Sequence, residues 1–241
     1  MEDYIEGSRV IVAFPGIGSV SILAANYILK NMKHDTIFSI YSDDMPAILL
    51  NDSDGFRLPA VRFINLKAKE KTILCYGDSQ PNTDSGAYKL SKDIIDTLKS
   101  GKAKEVIALG GIGIKGERKR DISYYMSNSK EAAQKLEKLK ATDKLNERVN
   151  VIFGMTGLIY GMAQRAGLTA SMLLVEANSA PGYMDTNASA RMVRLLSGYL
   201  DLDVDLKGLR RGRRRRNTLK FSVEKKGKAE EESHSKEHYL G

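Results

Sequence analysis

Glu176 and Asp185, in the run LLVEANSAPGYMD, are the acidic residues best placed for chemistry in this sequence. Glu176 ends an apolar stretch that reads as a strand, and ligand crevices of α/β folds open beyond the carboxyl ends of their strands. Two carboxylates held in different surroundings can divide the work of general acid and base. The same residues also have an architectural reading, in which Asp185 caps the following helix with Asn187 nearby and Glu176 fixes a loop through hydrogen bonds. A second kind of chemistry is phosphate binding. The run VIVAFPGIGSVSILAANYIL, residues 10–29, reads as strand, glycine turn and helix, the setting in which backbone N–H groups at a helix start meet an anion. Gly16, Gly18 and Ser19 are its candidate ligand-binding residues. The third position of a dinucleotide fingerprint is Ser21 rather than glycine, and Asp43 and Asp44 stand where a ribose-binding acid would.

Two further glycine runs carry less. GIGIKG supplies Gly111, Gly113 and Gly116, but charged residues and then DISYYM follow it, so a phosphate would meet no helix start. It reads as a turn at a strand end. GMTGLIYGM places Gly154, Gly157 and Gly161 at a strand-to-helix junction, with small residues at one-turn spacing to let the helix approach the sheet and Thr156 as a candidate cap. Gly16 and Gly18 also have a plain reading, in which they let the chain turn off an inner strand with the helix start packed close.

Nucleophilic and metal chemistry find few residues. Of three histidines, His234 and His238 fall in the charged C-terminal stretch, which leaves His34 alone in the body. No Ser-His-Asp, Cys-His or histidine-rich metal set can be assembled from it. Cys75, the only cysteine, lies within TILCY and reads as a buried thiol. No cofactor or metal is expected.

The elements that position these residues follow from periodicity. Strands are expected at 9–14, 36–40, 61–66, 72–76, 105–110, 149–153 and 170–176, where β-branched and apolar residues are bounded by Gly, Pro, Asp and Lys. Helical stripes lie between them: Val20–Ile28, Ala87–Leu98 closed by Gly101, Ala132–Leu139, Leu158–Ala163 closed by Gly167, and Ala188–Tyr199. Alternation of this kind implies an α/β domain with a mixed, mostly parallel sheet flanked by helices. VRFINL and TILCY are joined only by KAKEK, too short for a crossover, and should form an antiparallel hairpin.

The 241 residues divide into a single α/β domain, 1–209, and a basic tail, 210–241. From Arg210 onward Lys and Arg outnumber Glu eleven to five, which accounts for +6 of the net charge of +8 and leaves +2 for the rest. A nearly balanced body argues against a nucleic-acid-binding face. The longest apolar runs fall well below the roughly 20 residues that span a bilayer, and MEDYIEGS lacks the basic region of a secretory signal, so a cytoplasmic location and no membrane partner are expected. The tail has almost no apolar periodicity and should be mobile.

Taken in order, VAFPGIGSVSILAANYIL, DDMPAILL, CYGDSQPNTDSGAYKLSKDIID, IALGGIGIKGE, GMTGLIYGMAQRAGLTASMLLVEANSAPGYMDTNASARMVRLL and LDLDVDLKGL resemble the proteasome assembly chaperone family, in particular archaeal-type relatives of the second assembly chaperone. The resemblance spans residues 5–209. It implies a three-layer fold like that of purine nucleoside phosphorylases, homo-oligomers, and a non-enzymatic role in binding proteasome α subunits or the 20S particle. It also implies that Pro15, Gly16, Gly18, Gly154, Gly157 and Gly161 are structural. The competing reading is a hydrolase, phosphorylase or ATP-dependent enzyme acting on a nucleoside-like or phosphorylated ligand. Some archaeal relatives end in a hydrophobic residue, tyrosine and one last residue that dock in the proteasome α ring. Here the end is HYLG, with Tyr239 third from last and Leu240 after it. Arg210, Arg211, Arg213, Arg214, Arg215 and Arg216 would steer the body toward an acidic protein surface, the competing readings being a merely solvated charge run or a nucleic-acid-binding arm, and residues 217–241 would reach roughly 25–30 Å as a flexible coil. Assembly contacts are expected from Tyr124, Tyr125 and Met126 or from the last helix, the alternative for these three being that they simply pack in the core.

Overall fold

The computed structural model describes residues 2–52, 55–114 and 122–208. Its elements, in chain order, are α1 (Glu2–Ile5), β1 (Arg9–Ala13), α2 (Val20–Asn31), β2 (His34–Ile40), β3 (Leu50–Asp52), β4 (Gly55–Arg57), β5 (Val61–Leu66), β6 (Thr72–Gly77), α3 (Asp84–Ser100), β7 (Glu105–Ile114), β8 (Ser123–Ser127), α4 (Lys130–Lys138), α5 (Met155–Arg165), β9 (Ala170–Asn178) and α6 (Thr186–Leu200). Seven strands form one sheet in the order β2-β5-β6-β1-β7-β9-β8, and β3 and β4 form a separate hairpin. The four central strands, β6, β1, β7 and β9, are parallel. The flanking pairs β2–β5, β5–β6 and β8–β9 are antiparallel. The short KAKEK connection does close a hairpin, with Val61 opposite Gly77 and Leu66 opposite Thr72.

Strand alternation sorts the core into two layers. Ile11, Ala13, Leu74, Ile107, Leu109, Leu173 and Val175 face α2, α4 and α6. Val10, Val12, Ile73, Cys75, Val106, Ala108, Met172 and Leu174 face α3 and α5. The central strands are covered on both sides, which is why they read as continuous apolar runs. The result is the expected three-layer α/β architecture.

Three local expectations are corrected. VNVIF at 149–153 is not a strand; Val151 and Phe153 are 60% and 87% exposed. β-Propensity expresses fit to a pleated surface, and the edge of β9 is taken by β8, paired from Ser123–Val175 to Ser127–Ser171. Tyr124 and Tyr125 belong to that strand and are 2% and 4% exposed within the single chain, so they are core residues and not an assembly contact; only Met126 is exposed. Gly111 and Gly113 do not form a strand-end turn, because β7 continues to Ile114. Glycine is needed there for close approach: a Cβ on Gly111 would stand 2.6 Å from the Ile17 carbonyl oxygen, and one on Gly113 2.9 Å from Ser179 Cβ.

Candidate functional site

Beyond the carboxyl ends of the parallel strands, the loops after β1, β6 and β9 gather with the start of α5. The β1 turn is built from two successive left-handed residues, Gly18 at φ 60° and Ser19 at φ 52°. Ser19 stands at the N-cap of α2, yet its side chain makes no capping bond. Gly16 and Ile17 are exposed while Gly18 is buried. Ser21 Oγ donates to the Leu109 carbonyl at 2.9 Å, and from the other layer Thr156 Oγ1 donates to the same oxygen at 2.8 Å. β1 pairs with β7 only as far as Ala108, so these hydroxyls serve a carbonyl just past the paired stretch. Thr156 thus ties α5 to β7 rather than capping it; the N-cap is Gly154, at φ 79°.

Gln80 joins two of the loops. Its Nε2 donates to the Pro15 carbonyl, and its Oε1 accepts the Met155 N–H at 3.3 Å. Gly154 is held to glycine by its φ of 79°, and a Cβ there would also displace the Gln80 amide, 2.6 Å away at Oε1. A Cβ on Gly157 would stand 2.8 Å from the Ile152 carbonyl, whereas Gly161 and Gly16 have open space around them. The expected close approach of α5 to the sheet occurs instead at Gly110, whose Cβ would meet Thr156 Cγ2 of α5 at 3.1 Å as well as Leu174 Cδ2 of β9 at 2.5 Å.

Glu176 and Asp185 lie on different sides of the sheet. Asp185 belongs with Gly18 and α6: its Oδ1 accepts the Ala188 N–H at 2.9 Å, its Oδ2 accepts the Asn178 N–H at 3.0 Å, and its own N–H donates to the Gly18 carbonyl at 2.8 Å. It caps α6 and holds the β9–α6 loop to the β1 turn. Glu176 faces the α3/α5 side, where its Oε1 accepts Tyr124 Oη at 3.0 Å and Arg148 Nη2 at 2.8 Å, while Arg148 Nε donates to Tyr124 Oη at 3.0 Å. The carboxylate is 5% exposed and the guanidinium 52%. Burial raises the Tyr124 phenol above its ordinary value, opposed by Arg148 and reinforced by Glu176. The triangle fastens β8 and the segment after α4 onto β9.

A further charged cluster has little local signature in the sequence. Asp78, just past β6, accepts Arg57 through Nη1 and Nη2, Arg62 Nη2 at 3.2 Å and the Ala60 N–H at 3.0 Å. Its carboxylate is 5% exposed. Hydrogen bonding to Asp78 raises the Arg57 guanidinium above its usual value, against desolvation. Asp78 could have been sought, since it follows a strand end; Arg57 and Arg148 could not, because both reach their partners across many residues of chain. Asp44, entertained as a ribose ligand, instead accepts Thr83 N–H at 2.8 Å and Thr83 Oγ1 at 2.9 Å beside the start of α3.

Between the start of α3, the 143–153 segment and α5 runs a groove of about 780 Å³, with Tyr88, Met126, Val149, Phe153 and Leu158 among its lining residues and Asp84 and Asp143 at its polar margin. Among the described residues, no helix is long and apolar enough to cross a membrane. Arg210, Arg211, Arg213, Arg214, Arg215, Arg216, Tyr239 and Leu240 lie outside the described residues.

Residues 10–215 match the PAC2 family. The chain belongs to the PAC2 family. An uncharacterized protein of Methanocaldococcus jannaschii is 26% identical over 234 residues, covering 95% of this chain and 86% of the relative. Among solved structures, Pyrococcus furiosus PbaA, described as an archaeal homolog of proteasome-assembly chaperone, is 28% identical, with a TM-score of 0.74 over 85% of this chain and 82% of that one. Pyrococcus furiosus PbaB, described as an archaeal proteasome activator, has a TM-score of 0.75 at 21% identity, covering 86% and 88% of the two chains. At that lower identity PbaB speaks for the shared PAC2 fold. The glycine turns at 16–18 and 154–161, and the Asp185 cap, fall within the matched span.

Proposed function

We propose that this PAC2 protein is a non-enzymatic proteasome assembly chaperone or proteasome-binding adaptor that works as a homo-oligomer in the cytoplasm. The observation that carries the reading is the likeness to PbaA, a proteasome-assembly chaperone homolog, across most of both chains. The hydrogen bonding of the two best acid candidates agrees with it. Asp185 spends each oxygen on a backbone N–H, and Glu176 is bound to Arg148 and Tyr124 on the other side of the sheet. A general acid–base pair needs both groups around one substrate, and this arrangement favours anchoring of loops over chemistry.

In this reading the partner is a proteasome α subunit or the assembled 20S particle. The Arg210–Arg216 cluster supplies electrostatic steering, and Tyr239 and Leu240 dock in the partner. Capture of recombinant α subunits, run beside a thermal-shift screen of nucleosides and nucleotides, tests it. Capture without a ligand shift is expected. A nucleoside-dependent shift with no capture would replace the chaperone reading by the enzyme reading. Deletion of His238–Gly241 and replacement of the six arginines by Gln, measured across salt, then separate docking from steering; unchanged affinity after the deletion would defeat terminal docking.

A further inference from the structure

The β3–β4 hairpin has two unlike faces. The register pairs Leu50 with Arg57, Asn51 with Phe56 and Asp52 with Gly55. Arg57 points into the body, where it reaches the nearly buried Asp78. Strand alternation then sends Phe56 and Leu58 to the opposite face, with Leu49 across from Leu58 one step beyond the ladder. These three are 71%, 59% and 60% exposed. Ile48 and Tyr41, on the approach to the hairpin, are 48% and 65% exposed. Five of the large exposed apolar side chains of the described structure therefore fall within residues 41–58.

We propose that this outward face is the self-association surface, covered by the same face of a second copy across a two-fold axis. The proposal rests on the homo-oligomer reading above and gives it a location. Three physical facts select a second copy. A two-stranded hairpin is at best marginally stable alone and needs a further layer on its apolar face. Among the described residues its outward face carries no charged side chain, since Arg57 is turned inward and Asp52 is paired to it, so nothing described in the face selects an oppositely charged partner. The area also suits a shared contact. Leu49, Phe56 and Leu58 expose on the order of 300–400 Å², and Ile48, Tyr41 and a polar rim beside them bring the patch toward the roughly 800 Å² per partner of a standard interface. An isologous contact uses one patch twice, and two hairpins stacked about 10 Å apart would enclose a small apolar core of Leu49, Phe56 and Leu58 from each copy.

The test is the mass of the full-length protein by light scattering at micromolar concentration, for wild type and for Phe56→Asp/Leu58→Asp. Both side chains are exposed, so the variant should keep its circular-dichroism melt while its mass falls by half or more. Tyr183→Asp, an exposed aromatic elsewhere (50%), should leave the mass unchanged. Because Cys75 is buried, Phe56→Cys adds the one readily reached thiol of the body, and a short bis-maleimide should capture a covalent dimer. A monomeric wild type, an unchanged mass in the double variant, or no cross-linked dimer would overturn the proposal. Loss of α-subunit capture in the double variant at unchanged mass would assign the face to the proteasome instead. Self-association with no α-subunit capture by wild type would sink the proteasome reading and leave this surface standing.

Discussion

Asp185 and Gly18 are interlocked at the carboxyl end of the sheet. The Asp185 N–H donates to the Gly18 carbonyl at 2.8 Å, and a Cβ on Gly18 would stand 3.2 Å from Asp185 Cβ and 2.9 Å from Ala177 Cβ. The β1 turn and the β9–α6 loop are thus built against each other. An aspartate with the placing of a catalytic acid acts here as a clasp, with its oxygens on Asn178 and Ala188.

The glycines of this region separate into required and free positions. Gly18→Ala meets both a left-handed φ and a steric wall, and should cost roughly 2–4 kcal/mol. Gly16→Ala, with open space and an extended φ of −167°, should stay within about 0.5 kcal/mol of wild type. Gly161→Ala, inside α5 with nothing near, should gain about 0.5–1 kcal/mol. Urea unfolding followed by circular dichroism gives the order; equal losses at Gly16 and Gly18 would contradict it.

Leu109 offers a test of coupling between the two helical layers. Removing either Ser21 Oγ or Thr156 Oγ1 leaves its carbonyl one hydroxyl donor, and each of Ser21→Ala and Thr156→Val should cost about 0.5–1.5 kcal/mol. Removing both strips that oxygen of hydroxyl donors. The double variant should exceed the sum of the singles by at least about 0.5 kcal/mol. Strict additivity would mean that the two hydroxyls act independently.

Glu176 should prove structural. Glu176→Gln keeps an acceptor for Tyr124 but gives up the charge paired with Arg148, at a cost on the order of 1–3 kcal/mol. Arg148→Ala should destabilise in the same direction, and its effect should shrink in the Glu176→Gln background. Full wild-type stability in Glu176→Gln, by urea melt, would return Glu176 to the list of residues retained for something other than the fold.

The sequence displays those elements whose partners are interchangeable. β1, β6 and β9 show as apolar runs because any strand buried on both faces needs them, and α3 and α6 show as stripes because one face of each is in the core. What it hides depends on choice among neighbours. VNVIF and SYYMS are both suited to the edge of β9, and no local property says which one pairs. The β3–β4 hairpin is likewise hidden, since LND and GFR are too short for a period-two signal. At the candidate site, the Asp185 cap is legible because an aspartate three residues before Ala188 is a local pattern. The Glu176–Arg148 pair is not, for it depends on how the 143–153 segment crosses the sheet edge.

Tyr125 gives the fold an alkaline limit. Its phenol donates to Glu137 Oε1 at 2.8 Å, and burial first, then the bond and charge of Glu137, push its pKa up to about 12. The folded state therefore holds the proton more tightly than the unfolded chain, whose phenol titrates near 10. This contribution is complete below pH 10 and is lost as pH rises from 10 to 12, because the unfolded state then binds fewer protons. Burial also raises the Cys75 thiol and the phenols of Tyr76, Tyr160 and Tyr199, which lose stability in the same direction. Tyr125→Phe should lower stability at pH 7 by about 1 kcal/mol through the missing hydrogen bond, and the gap to wild type should narrow as pH climbs past 10. Parallel stability curves for the two proteins from pH 9 to 12 would show that Tyr125 titrates as a free phenol and that its bond to Glu137 does not hold in solution.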